Sequence, residues 1–214
     1  MPPTRLTRIW FGVTALVVLT GLVTQAFVSA GLSGRYASAG ARVANMFAFF
    51  TIESNLLVLI AAVVFLFGRP TGVLRVLWLD ALIGITVTGV VYHVALRGLA
   101  DLSGAALVAD VLLHTISPII TVVGFLVAAP RVLKWNTVAW SVVWPLAWLA
   151  FTLIRGAQDG FYPYPFVNAA ELGYGRVAVN CALVAVLFVA LASVAKVIDG
   201  WLTPAPAETR SADR

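Results

Sequence analysis

Three features of the sequence predict an all-α polytopic membrane protein, six transmembrane helices in one bundle. Charged residues are scarce, apolar runs continue for twenty or more positions, and mostly short connections separate those runs. Of the 214 residues, 61% are hydrophobic and 11% are charged, against about 45–50% and about 25% in soluble domains. So little charge cannot cover the surface of a water-soluble globule, which excludes that class along with disordered chains and coiled coils. The single cysteine, Cys181, excludes an intramolecular disulfide and cysteine-built zinc or iron–sulfur sites. The net charge of +5 comes from 14 cations scattered singly between apolar runs, which is no nucleic-acid footprint. The period-two alternation of a transmembrane barrel is missing as well.

A helix needs about 20 apolar residues to cross about 30 Å of hydrocarbon, and the runs at about 9–30, 43–67, 73–96, 105–129, 135–154 and 174–196 qualify. The first run carries no charge. It exceeds the roughly 7–15 apolar residues of a signal peptide, so it reads as a span rather than a leader cut after Val28-Ser29-Ala30. The second carries Thr51, Glu53, Ser54 and Asn55, and the turn Gly68-Arg69-Pro70-Thr71-Gly72 ends it. The third holds Asp80 near its start and His93 near its end. In the fourth, Asp110 and His114 precede Pro118, which has no N–H for the His114 carbonyl and predicts a kink there. Pro145 stands in the same relation to Ser141 in the fifth. The only long connection, 156–173, leads into the sixth, which carries Asn180. Residues 1–199 form the predicted transmembrane domain, and residues 200–214 a disordered polar tail. No internal repeat stands out.

Lys and Arg set the expected orientation. Arg5, Arg8, Arg69, Arg75, Arg131, Lys134, Lys196, Arg210 and Arg214, nine of the 14, share one side of this layout. Arg35, Arg42, Arg97, Arg155 and Arg176 share the other, so both termini are expected in the cytoplasm. With 12 Arg to 2 Lys, the composition fits a GC-rich bacterial gene and a bacterial cytoplasmic membrane.

Ionisable groups inside a span are costly and mark function by default. Here they are Glu53, Asp80, His93, Asp110 and His114, with Arg155 at a helix end. At 1.5 Å per residue, Thr51 falls about 12 Å into its span, His114 about 13 Å, Asp110 about 8 Å and Asn180 about 9 Å. His93 and Arg155 close their spans on the same side, so five spans offer polar groups to one outer-half layer. Asp80 lies toward the other end, where Arg75 or Lys134 is expected to neutralise it. Thr51, Ser54 and Asn55 share a helix face, with Glu53 about 200° round from Thr51. The i, i+4 spacing of Asp110 and His114 lets the carboxylate reach the imidazole.

The segments Phe49-Phe50-Thr51-Ile52-Glu53-Ser54-Asn55-Leu56-Leu57 and Leu113-His114-Thr115 resemble the Thr and His segments of the androgen-induced, androgen-dependent six-span membrane hydrolases. Arg155-Gly156, Phe161-Tyr162-Pro163-Tyr164-Pro165-Phe166 and Gly173-Tyr174 look like the equivalent loop of bacterial relatives. The resemblance implies an integral membrane threonine hydrolase acting on fatty acid esters of hydroxy fatty acids.

The chemistry asks for a base to activate a threonine, and His114 at matching depth is the candidate, with Asp110 orienting its ring. Thr51, His114 and Asp110 are therefore the expected catalytic residues, with Asn55, Ser54 or Asn180 as oxyanion donors. Asn55, Glu53, His93, Arg155 and Asn180 are the expected substrate-binding residues, Arg155 for a carboxylate. The aromatic stretch 161–166 reads as a lid or lateral gate at the headgroup level. A lipid or fatty-acyl substrate and the membrane are the expected partners. No nucleic acid, metal or cofactor is expected. Two other classes compete: a small-molecule or proton-coupled transporter, whose polar groups would continue to the cytoplasmic face, and a non-catalytic lipid-binding protein whose cluster only fixes helix packing.

Overall fold

A computed structural model of the chain describes residues 3–33 and 35–203. Its elements are α1 (Arg5–Gly31), α2 (Ala39–Met46), α3 (Phe50–Phe67), α4 (Val73–Val91), α5 (Gly104–Val111), α6 (Ser117–Val127), α7 (Trp135–Ser141), α8 (Val143–Asp159) and α9 (Ala169–Trp201). A π turn, Tyr92–Leu96, prolongs α4, a second, Leu112–Ile116, joins α5 to α6, and a 3₁₀ turn, Pro165–Val167, precedes α9. Among the described residues, six helices are long and apolar enough to cross a membrane: Arg5–Gly31, Phe50–Phe67, Val73–Leu96, Gly104–Val127, Trp135–Asp159 and Ala169–Trp201. This is the architecture of an integral membrane protein. Six crossings bring the described ends of the chain to one side of the bundle; the connections between α1 and α3, after residue 96 and after residue 159 form the far end.

The boundaries differ from the sequence reading where local hydrogen bonding overrides hydropathy. Residues 43–46 belong to α2, not to the second span. The Phe47 N–H turns back to Ala44 and Asn45, and Phe49 is extended at φ −86°, ψ 127°. Thr51 is therefore the second residue of α3 rather than two turns inside a span. The fifth span runs on to Asp159, and the sixth begins at Ala169 with a kink at Gly173, whose φ of 73° and ψ of 153° suit a residue without Cβ. Gly200 and Trp201 continue α9 instead of beginning a tail; residues 204–214 lie outside the described residues.

The half of the bundle nearer the termini is solid. Phe11 and Phe65 meet at 4.4 Å between ring centroids, and Trp78 stands edge-on to Phe65 at 4.8 Å. Around them Val18, Leu79, Ile85 and Phe125 are buried. α1 joins this core through Phe11 and Val18, and the Thr7 hydroxyl donates to the Ala128 carbonyl at 2.7 Å. Asp80 corrects the expectation of an ion pair: it is 2% exposed, its Oδ1 has no hydrogen-bond partner among the described residues, and the Arg75 guanidinium donates to the Pro70 carbonyl instead. The expected break near Pro145 is present, with α7 ending at Ser141 and α8 starting at Val143.

Candidate functional site

The far half of the bundle is hollow, and its polar groups converge on the start of α3. Thr51 Oγ1 lies 3.2 Å from His114 Nε2. His114 Nδ1 lies 3.0 Å from Asp110 Oδ1, and the two side chains are 20% and 12% exposed. The carboxylate holds the proton on Nδ1 and leaves the Nε2 lone pair facing the threonine hydroxyl. Tyr92 completes the arrangement from above: its hydroxyl donates to Asp110 Oδ2 at 2.5 Å, and its ring stacks on His114 at 4.2 Å and 18°. Thr51, His114 and Asp110, paired by sequence reasoning, are thus one continuous relay across two helices.

Backbone irregularities aim these groups. His114 sits inside the π turn Leu112–Ile116, one turn before Pro118, and Tyr92 opens the π turn Tyr92–Leu96. A π turn adds a residue and rotates the rest of its helix by about 100°. The missing N–H of Pro118 accounts for a disturbance at His114, but on its own predicts only a kink. The two rods also approach closely here: a Cβ on Gly89 would stand 3.0 Å from the Pro118 ring and 3.6 Å from the His114 carbonyl oxygen.

Tyr164, from the aromatic connection, is a site residue that sequence reasoning missed. Its hydroxyl accepts from the Thr51 N–H at 3.2 Å and lies 3.3 Å from Thr51 Oγ1. Burial pushes the phenol above its ordinary range, which keeps it a neutral donor. The signals in the sequence were the aromatic density of 161–166 and the likeness of that stretch to the loop of bacterial relatives, neither of which singles out Tyr164.

Two cavities meet at Thr51 and Tyr164, which line both. One, about 350 Å³, is apolar, walled by Phe50, Val87, Val91, Leu149, Val184 and Phe188 among others. Leu146 and Val189 in its lining are also exposed on the outside of the bundle, so it reaches that surface between α8 and α9. The other, about 510 Å³, is lined by His114, Asp110, Tyr36, Asn45, Arg35 and Arg42 among others.

The remaining expected residues stand behind this site rather than on its walls. Asn55 is fully buried and spends its amide N–H groups on the Thr51 and Leu113 carbonyls at 2.8 and 3.2 Å, tying α3 to the π turn of His114. Glu53 accepts from the Trp144 indole at 2.9 Å. His93 pairs with the Thr115 hydroxyl at 3.2 Å, at an exposed position. Asn180 donates to the Phe166 carbonyl at 2.9 Å and so holds the aromatic connection. Arg155 is engaged by Tyr36 at 2.5 Å, Asn45 at 2.7 Å and Asp159 at 3.2 Å, and lies over the Phe161 ring at 4.5 Å. It thereby ties the end of α8 to the connection between α1 and α3 and holds the Phe161 ring at the start of the aromatic connection. None of these five lines either cavity.

Fold and site together define an integral membrane protein with a Thr–His–Asp relay between an apolar chamber and a second, mixed one that carries the charged groups, in one half of its helix bundle. Compared with known proteins, the chain matches no family model, no curated protein and no solved structure.

Proposed function

We propose that this protein is a membrane-embedded lipid-ester hydrolase in which Thr51 is the nucleophile, His114 the general base and Asp110 the group that orients and stabilises the imidazolium. The observation that carries this reading is the unbroken relay, 3.2 Å from Thr51 to His114 and 3.0 Å from His114 to Asp110, with its nucleophile on the wall shared by two chambers.

In the acylation step His114 Nε2 takes the Thr51 proton as Oγ1 bonds to the ester carbonyl carbon, and the carbonyl π pair moves onto oxygen. Collapse of that intermediate breaks the carbon–alkoxide bond, and the imidazolium returns its proton to the leaving alcohol. His114 then deprotonates a water that attacks the acyl-threonine carbonyl; collapse releases the carboxylic acid, and the imidazolium returns its proton to Thr51 Oγ1. The apolar chamber suits the acyl chain, entering from the bilayer between α8 and α9. The mixed chamber suits the alcohol portion and the water. The similarity of the Thr and His segments to the six-span threonine hydrolases favours fatty acid esters of hydroxy fatty acids. With the termini in the cytoplasm of a bacterium, as the Lys and Arg bias predicts, the relay stands in the outer leaflet.

A transport path would have to continue through the half nearer the termini, where the Phe11, Phe65 and Trp78 rings are packed together; the geometry therefore favours catalysis. The test is turnover of a panel of lipid esters, branched fatty acid esters included, by purified protein and by Thr51→Ala and His114→Ala. Loss of turnover in both folded variants is expected. Turnover that survives Thr51→Ala overturns the mechanism.

A further inference from the structure

We propose that Tyr164 is a catalytic residue of this site, its hydroxyl and the Thr51 backbone N–H together forming the oxyanion hole. The inference rests on the hydrolase reading above and assigns the one part of the machinery that reading leaves open.

The donors expected from the sequence are already spent. The Asn55 amide is used on the Thr51 and Leu113 carbonyls, Asn180 is used on Phe166, and Ser54, which accepts from the Thr88 hydroxyl at 3.4 Å, is fully buried and lines neither cavity. An oxyanion hole needs donors preset at the position where charge develops, beside the attacked carbon. The first N–H groups of a helix have no partner within it. At the start of α3, the Ile52 and Glu53 N–H groups turn to the Phe49 carbonyl at 3.0 and 3.2 Å, and Phe49 supplies no side-chain cap. The Thr51 N–H instead meets Tyr164 Oη at 3.2 Å. The nucleophile's own N–H is thus free of the helix and points into the site, with the partial positive charge of a helix start behind it.

Tyr164 Oη stands 3.3 Å from Thr51 Oγ1, within reach of the reacting atoms. In the resting site the donors form a one-way chain: Thr51 N–H to Tyr164, Tyr164 O–H to Thr51 Oγ1, Thr51 O–H to His114, and His114 N–H to Asp110. When Oγ1 attacks, it gives its proton to His114 and no longer needs the Tyr164 hydrogen bond. The phenol and the Thr51 N–H then turn to the new oxyanion. Nothing is oxidised, and the phenol keeps its proton throughout. Neighbouring rings fix the phenol in place: it stacks on Phe166 at 5.3 Å and 7° and meets Phe49 edge-on at 5.9 Å. Burial holds the phenol neutral to higher pH than a free tyrosine.

The experiment compares wild type with Tyr164→Phe, which keeps the ring and removes only the hydroxyl. A fall in kcat of about 10²–10³-fold is expected, with KM changed less than threefold and the thermal midpoint unchanged. A trifluoromethyl ketone analogue, which forms a tetrahedral oxyanion on Thr51, should lose affinity by the same factor as kcat/KM; an unreactive ether of the same length should bind as before. As a second variant, difluorotyrosine placed at position 164 lowers the phenol pKa and should move the alkaline limb of kcat to lower pH. Tyr164→Phe within threefold of wild type in kcat, analogue affinity unchanged, or an unmoved alkaline limb each overturn the role of Tyr164 while the hydrolase stands. Wild-type protein without Thr51-dependent turnover overturns both.

Discussion

Asp110→Asn isolates the contribution of a single negative charge, because the side chain keeps its shape and Tyr92 can bond to an amide as to a carboxylate. In the wild type the carboxylate lies 3.0 Å from His114 Nδ1. During attack the imidazole becomes a cation, and a unit charge at that distance is worth about 5 kcal/mol at an effective dielectric constant near 20. Removing it predicts a loss in kcat of about 10⁴-fold. If the nitrogen of the substituted amide faces His114, Nδ1 becomes an acceptor and the proton moves to Nε2. The base then donates to Thr51 instead of accepting, and the loss is of the same order. The assay is ester turnover in nanodiscs, with thermal unfolding run in parallel to confirm that the bundle is intact. A variant that keeps its fold and retains activity within tenfold of wild type would refute the role given to the Asp110–His114 pair.

Smaller perturbations probe the supports of the site. Tyr92→Phe removes the 2.5 Å bond to Asp110 but keeps the ring stacked on His114, so a loss of about 5–30-fold in kcat is expected; a loss as large as that of Asp110→Asn would show that the hydroxyl does more than steady the carboxylate. Arg155→Ala unties Tyr36 and Asn45 from α8 and frees Asp159 at its end, and limited proteolysis should then cut at 160–168 far faster than in wild type. Gly156→Ala acts on the same strap, since a Cβ there would collide with the Tyr162 ring; a raised KM with an unchanged thermal midpoint is expected, and unchanged kinetics would mean the connection does not shape the chambers.

The short set of polar groups inside apolar runs was legible in the sequence because a buried ionisable group stands out against hydrocarbon. Asp110 and His114 were legible as a pair because one helix turn joins them. Thr51 and His114 were assigned similar depths, yet the depth of Thr51 was counted from residue 43, and α2 makes that count wrong. What puts the hydroxyl beside the imidazole is the extended Phe49, the Asn55 tie and the π turn, none of which hydropathy records. Arg155, expected to bind substrate, binds the protein, because the connection between α1 and α3, with α2 inside it, brings Tyr36 and Asn45 to it from more than a hundred residues away.

By itself the sequence determined the solvent of this protein and its consequences. So apolar a chain must satisfy its backbone inside helices, and its spacing allows six of them with polar groups gathered toward one end. The tertiary structure alone decided which of those groups meet. Depth along a helix axis is set by residue count, but rotation about it shifts by about 100° with each residue a π turn inserts, and a loop such as 160–168 is placed by contacts with distant segments. Tyr164 reaches Thr51 for that reason: its position follows from the clamp at Arg155, the Asn180 bond to Phe166 and the rings around it, not from anything local to its own stretch of chain.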